Sequence, residues 1–321
     1  VRLLAKTGTL GLALGLLAGC DRPAEPTDPG APAGPQLSET ATEGMQLERL
    51  RVDVTDWEDL RTVIPLELFV PAAAEDIGPG SAIVITIPDE GRFGCTANFV
   101  WGAGGRRYLG SAGHCFLPSD RTATHGPGAD YDASGVVVQV CVEDCEGNFR
   151  SNLLVGTWVT LGHVAYARQT FEGEDVGNDF GVVVIPKEFQ DFIRLQMPVW
   201  GGPTGVQTLD VGDYGCHYGH GLIVGETFLT KARVGVGGGG DEDFWMGDFA
   251  GSFGDSGSGL EGCVNDGLGS FEGTGAVGVL THLGIGIGDE TAEHGVIFGT
   301  TIARSIQMAE EAHLMLTLLL P

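Results

Sequence analysis

The chain has 321 residues, of which 42% are hydrophobic, with a mean hydropathy of +0.11 and a formal net charge of −26 from 43 acidic and 17 basic residues. That length supports one large domain or two mid-sized ones around a substantial core, and the negative field excludes nucleic acid and anionic lipid as partners. Glycine, at 54 residues, is more than twice its usual share; with no G-X-Y period the chain is not collagen, and glycines between short apolar runs point to turns and bulges in an all-β body.

Residues 1–20 read VRLLAKTGTLGLALGLLAGC, a basic start at Arg2 and Lys6 followed by an apolar stretch over 10–17. The stretch is too short to span a bilayer as a helix but suits an export signal. Its end, Leu17-Ala18-Gly19-Cys20, resembles the lipobox of bacterial lipoproteins. The resemblance implies cleavage before Cys20, acylation of that cysteine and a membrane-anchored, extracytoplasmic protein. An ordinary signal peptide cut elsewhere, giving a secreted or periplasmic protein, is the alternative. Asp21 resembles the signal that retains some lipoproteins in the inner membrane.

Residues 21–44 are rich in Pro, Ala, Gly and acid without an apolar period, and read as a disordered tether. Residues 45–78 are mixed, and read either as a pro-segment or as an N-terminal arm lying on the folded body. From residue 79 the chain becomes a series of short β-like runs, among them SAIVITI (81–87), GVVVQVCV (135–142), GVVVI (181–185) and AVGVLTH (276–282). Such runs fit a sandwich or a pair of barrels. The segment 186–205 breaks the pattern and reads as the connection between two halves, 79–190 and 191–321. Residues 300–320 carry a helical stripe at Ile302, Ile306, Met308, Ala312 and Leu316, and predict one C-terminal helix.

Acyl transfer by serine needs a base beside the hydroxyl, a group that orients the base, and amide donors for the oxyanion. Candidates for each occur in the order His, Asp, Ser. Gly254-Asp255-Ser256-Gly257-Ser258-Gly259 flanks a serine with glycines that permit a tight turn, and the amides of Gly254 and Ser256 are the candidate oxyanion hole. Ser111-Ala112-Gly113-His114-Cys115 ends the run RYLGSA. Asn178-Asp179 leads directly into an apolar run that can hold a carboxylate in a buried place.

Together SAGHC, NDFGVVV and GDSGSGL resemble the histidine, aspartate and serine motifs of the trypsin/chymotrypsin family, in that family's chain order. The resemblance spans roughly residues 80–317. It implies two six-stranded antiparallel β-barrels followed by a C-terminal helix, and a serine endopeptidase without a cofactor acting as a monomer on peptide or protein. Ser256 would be the nucleophile, His114 the general base and then acid, and Asp179 the group that holds the imidazole tautomer. The resemblance also implies a Cys95–Cys115 disulfide bracing the histidine loop and a Cys216–Cys263 disulfide near the serine, which leaves Cys141 with Cys145. Bridged cysteines suit an exported chain.

The chain departs from the family in two ways. No Ile-Val-Gly-Gly-type mature N-terminus precedes the first half to pair with Asp255, so activation by such a cut is not expected; bacterial members of the family commonly use another internal cation, and no residue here names itself. The position expected at the base of the specificity pocket, six before Ser256, is Ala250, which disfavours Arg or Lys at P1; a slip of one or two residues would bring Asp248 there instead. The pocket wall is expected at 280–284, including Thr281 and His282. His282 either contacts an acidic substrate side chain or stands on a loop outside the pocket, and apolar or small P1 residues are preferred.

Other constellations are weaker. Cys216, His217 and His220 lack convincing zinc spacing, and the acidic run at 241–243 lacks the ligand pattern of a known Ca²⁺ loop, so no metal is expected. A catalytically silent binding or scaffold protein on the same fold is the competing reading.

Overall fold

The computed structural model describes residues 46–49, 52–53, 62–64, 77–143, 145, 156–171, 175–221, 231–285 and 295–321. The segments expected to be an export signal and a tether, and the candidate lipidation site Cys20, lie outside these residues. Three short strands come first: β1 (Gln46–Arg49), β2 (Val52–Asp53) and β3 (Thr62–Ile64). The first half then comprises β4 (Ala82–Ile87), β5 (Gly91–Thr96), β6 (Val100–Ala103), β7 (Arg106–Ser111), β8 (Val137–Glu143), β9 (Thr157–Thr160), β10 (Val164–Arg168) and β11 (Phe180–Ile185). The second half comprises β12 (Tyr214–Tyr218), β13 (Ala232–Gly240), β14 (Phe244–Phe249), β15 (Gly259–Asn265), β16 (Phe271–Ile285) and β17 (Gly295–Thr301). Helix α1 (Ile302–Glu311) and strand β18 (Thr317–Leu318) follow.

The all-β architecture with a C-terminal helix agrees with the sequence expectation. In the second half β16, β15, β12, β13, β14 and β17 pair in that order, and β16 also pairs with β17, so six strands close into a barrel. Closure leaves no free edge on those six strands where they pair. Its interior is filled by Leu209, Trp245, Phe249, Leu260, Val277, Leu280, Leu283 and Ile297. The first half is arranged as two sheets, β10-β11-β7-β6-β18 and β2-β5-β4-β8-β9-β3. These enclose one apolar cluster that includes Phe99, Trp101, Phe116, Tyr166 and Phe180, with Trp101 and Phe180 edge to face at 5.2 Å.

The C-terminal segment differs from the single helix expected over 300–320. Thr301 caps α1, its hydroxyl accepting the Arg304 amide. The helix stops at Glu311, and His313 takes a left-handed φ of 62°. Beyond it Leu316 and Leu318 are buried while Met315 and Thr317 are exposed, a period of two. Thr317 and Leu318 pair with Gly102 and Trp101 on β6. The helical period gave way because the open edge of β6 and the first-half core together satisfy both the backbone and the leucines of this segment.

Three disulfides join Cys95 to Cys115, Cys141 to Cys145 and Cys216 to Cys263, the equipment of an oxidising, extracytoplasmic compartment. Glu261, on β15, is fully buried next in register to Cys216. Both of its carboxyl oxygens lack a hydrogen-bond partner among the described residues, and the group is wedged between the backbones of Gly202 and Gly273. Burial pushes its pKa up to about 8, so it is held as a neutral acid. Among the described residues no helix is long and apolar enough to cross a membrane.

Candidate active site

His114 stands in the 3-10 turn Gly113–Cys115 that follows β7. A side chain at position 113 would meet the carbonyl oxygens of Arg168 and Phe180, so only glycine lets this turn press against β10 and β11. Asp179 lies between the 3-10 turn Val176–Asn178 and β11, within the same contact. The Cys95–Cys115 bridge, spanning 20 residues, ties the histidine turn to the end of β5.

The serine arrives from the other half. Ser256 lies in the loop between β14 and β15, where Gly254 and Gly257 have φ of 98° and 88°, values that L side chains resist. A Cβ on Gly257 would sit 1.9 Å from Ser111 Oγ. The loop is fastened to the first half where β5 ends: Thr96 N donates to Ser256 O at 2.8 Å and Thr96 Oγ1 to Gly254 O at 2.9 Å. On the barrel side Gly257 N donates to Leu280 O at 2.7 Å.

This junction brings the three side chains together. His114 Nε2 is 2.8 Å from Ser256 Oγ, and His114 Nδ1 is 2.6 Å from Asp179 Oδ2. The other oxygen of Asp179 accepts the backbone N–H of His114 at 2.9 Å, so one carboxylate grips both the ring and the main chain. Asp179 N in turn donates to Thr300 Oγ1 at 3.2 Å. All three residues are buried. With Nδ1–H donating to Asp179, the neutral imidazole presents Nε2 as an acceptor toward the serine hydroxyl. The amides of Gly254 and Ser256 donate to no described residue.

One residue that sequence reasoning missed completes the loop. Arg233, on β13, is ion-paired with Asp255, and both side chains are buried. Gly221 N and Ser252 N also donate to the Asp255 carboxylate, at 2.7 and 2.8 Å. Asp255 is therefore fully engaged without a free N-terminal amine. The signal in the sequence was an arginine set inside the apolar run FLTKARVGV, in a chain with few cations.

The residues expected to shape specificity are dispersed around this centre. Ala250 is half-buried and its carbonyl accepts His217 Nε2 at 3.0 Å. Asp248 is exposed on β14 beside buried Phe249. Thr281 and His282 are buried on β16, with His282 Nδ1 2.8 Å from Thr281 Oγ1. The His282 ring lies 6.1 Å from that of His114, edge to face. Burial and the nearby Arg233 push the pKa of His217 down to about 4, and burial with Lys231 drives His220 well below its ordinary value. Cys95, His114 and Cys115 cluster within 4.8 Å, but the two sulfurs are bonded to each other and offer no thiolate to a metal. Cys216 is likewise spent in a disulfide.

β1 lies across this region. It pairs antiparallel with the end of β16, Arg49 opposite His282 and Gln46 opposite Ile285. The partner of β16 on the serine side, β15, reaches only as far as Val279.

No protein-family model matches the chain, and no curated protein matches it. Among solved structures it is similar to Thermobifida fusca protease A, with 17% identity and a TM-score of 0.42 over 76% of this chain and 99% of that one. It is similar to the protease Anisep from Arthrobacter nicotinovorans, with 14% identity and a TM-score of 0.46 over 75% and 98%. A scabies mite inactivated protease paralogue is also similar, with 14% identity and a TM-score of 0.37 over 74% and 97%. At these identities and scores the likeness concerns the fold alone and carries nothing about activity.

Proposed function

We propose that this chain is a serine endopeptidase of the trypsin/chymotrypsin type, acting outside the cytoplasm. The observation that carries the reading is the continuous chain of hydrogen-bond distances from Asp179 through His114 to Ser256, 2.6 and 2.8 Å. Ser256 Oγ attacks the peptide carbonyl while His114 Nε2 takes its proton, and the imidazolium then gives that proton to the leaving amine. Asp179 holds the tautomer that leaves Nε2 free and stabilises the charged ring. The unengaged amides of Gly254 and Ser256 receive the developing oxyanion, where one such donor is worth about a hundredfold to a thousandfold in rate. Water then releases the acyl group by the same steps in reverse.

Ala250 offers no charge to a basic P1 side chain and Asp248 is exposed, which supports cleavage after apolar or small residues. We assign residues 79–190 and 191–321 as the two catalytic halves, and Cys20 as a lipidation site tethering a monomer to the membrane. We also assign the arm 45–78 to regulation of the same centre. β1 occupies the edge of β16 just beyond the serine loop, where an extended substrate would add as a strand.

Treatment of the mature protein with a fluorophosphonate tests the reading. Label that depends on Ser256 is expected. No label on folded protein, even after the arm is removed, would sink the enzyme and leave the binding or scaffold alternative.

A further inference from the structure

A cavity of about 750 Å³ lies at one end of the barrel core and shares no residue with the catalytic triad or with Ala250, Thr281 and His282. The size falls in the range of sites that enclose a ligand. Its floor is apolar: Leu209, Trp245, Val277 and Ile302 line it and are otherwise buried. Its mouth is apolar as well, with Val206 and Val211 55% and 44% exposed. Exposed aliphatic side chains that converge on a concave, apolar-floored site mark a binding surface better than scattered ones do.

The exposed charge around this mouth has one sign. Asp210, Asp241 and Glu242 line it and are exposed. Asp241 spends one oxygen on the amides of Asp243 and Phe244, at 2.8 and 3.0 Å. The carboxylates of Asp210 and Glu242 have no hydrogen bond or ion pair among the described residues. The single cation in the lining, Arg304, is already answered by Asp243 and Glu311, each at 3.6 Å, and donates to Asn178. A ligand entering here thus meets apolar floor and unanswered negative charge together, within a molecule whose whole field draws cations inward.

We propose that this cavity is an exosite for a basic peptide segment with apolar flanks, one Lys or Arg ammonium or guanidinium facing Asp210 and Glu242 while neighbouring apolar side chains cover Trp245 and Val277. On the peptidase reading, which the word exosite presupposes, the segment belongs to the substrate at a distance from the scissile bond. Binding itself does not depend on that reading. The site also adjoins the catalytic carboxylate: Thr301 and Arg304 line the cavity, Thr300 Oγ1 accepts Asp179 N, and Arg304 holds Asn178.

The test uses the full chain carrying Ser256→Ala, so that peptide is not consumed, and a fluorescent acetyl-Leu-Lys-Phe-Lys-Leu-amide probe read by anisotropy. Saturable binding is expected, weakened at least tenfold by the double change Asp210→Asn with Glu242→Gln and separately by Val211→Ser. The exposed positions of these residues keep the variants folded, which their thermal midpoints check. Replacing both probe lysines by glutamine should abolish binding, and added salt should weaken it. Equal binding of the glutamine probe, or binding untouched by either variant, would overturn the site, as would no binding at all. None of these outcomes bears on Ser256 labelling, so the exosite and the peptidase reading fail separately.

Discussion

The buried guanidinium of Arg233 is ion-paired with the carboxylate of Asp255, the residue immediately before Ser256. The backbone amides of Gly221 and Ser252 complete the coordination of the carboxylate. An internal arginine thereby holds the residue beside Ser256 from within the fold.

Arg233→Met leaves Asp255 buried and without its counter-charge. The expected cost is about 3–5 kcal/mol, because stranding one member of a buried pair forfeits its attraction while keeping the desolvation. Urea unfolding should show the loss, and the rate of fluorophosphonate labelling should fall with it. An unchanged midpoint and labelling rate would show that Asp255 does not need this partner.

Asp179→Asn keeps the volume of the side chain but turns a charged acceptor into an amide that can favour the wrong imidazole tautomer. Labelling of Ser256 should slow by roughly a thousandfold to ten-thousandfold. Stability should change far less, since the amide can still bond the main chain of His114. A parallel collapse of the thermal midpoint would instead assign Asp179 a structural role.

Glu261 makes stability depend on pH. Its folded pKa, about 8, lies above its ordinary value of 4.5. Below 4.5 both folded and unfolded chains carry the proton and the group is silent. Between 4.5 and 8 the unfolded chain releases it while the folded chain keeps it, so stability falls as pH rises, by on the order of a few kcal/mol across the window. Glu261→Gln should remove that slope, raising the melting temperature at pH 7–8 and leaving it unchanged near pH 4. A variant whose advantage is equal at both pH values would contradict this.

Deletion of residues 45–53 removes β1 and β2. If β1 blocks the edge of β16, labelling of Ser256 should become at least tenfold faster in the deleted protein. An unchanged or slower rate would make the arm a brace, not a block.

What could be read in the sequence follows from how local each feature is. The serine loop announces itself because a tight turn with left-handed φ at Gly254 and Gly257 demands glycines next to the serine. Likewise Gly113 precedes His114 because the turn has no room for a side chain. Asp179 was legible through the apolar run that follows it. The three cysteine pairs came from the resemblance, and spacing alone would not have chosen them. The features that escaped notice depend on partners far along the chain. Arg233 has no visible partner in the sequence until β13 carries it to Asp255. Leu316 and Leu318 continue a helical stripe on paper, and only the open edge of β6 turns them into a strand. Glu261 looks like any acid in a strand until the loop at 200–203 closes over it.

The pairing of β18 with β6 has a bearing on how the protein is made. The edge of the first-half sheet waits for a segment roughly two hundred residues downstream, and contacts of such separation slow assembly. During synthesis the first half therefore emerges with a hydrophobic seam still unsealed, a seam that invites aggregation or capture by a chaperone. Chains lacking β18 would keep it open, so this two-residue strand seals the edge of what was translated well before it.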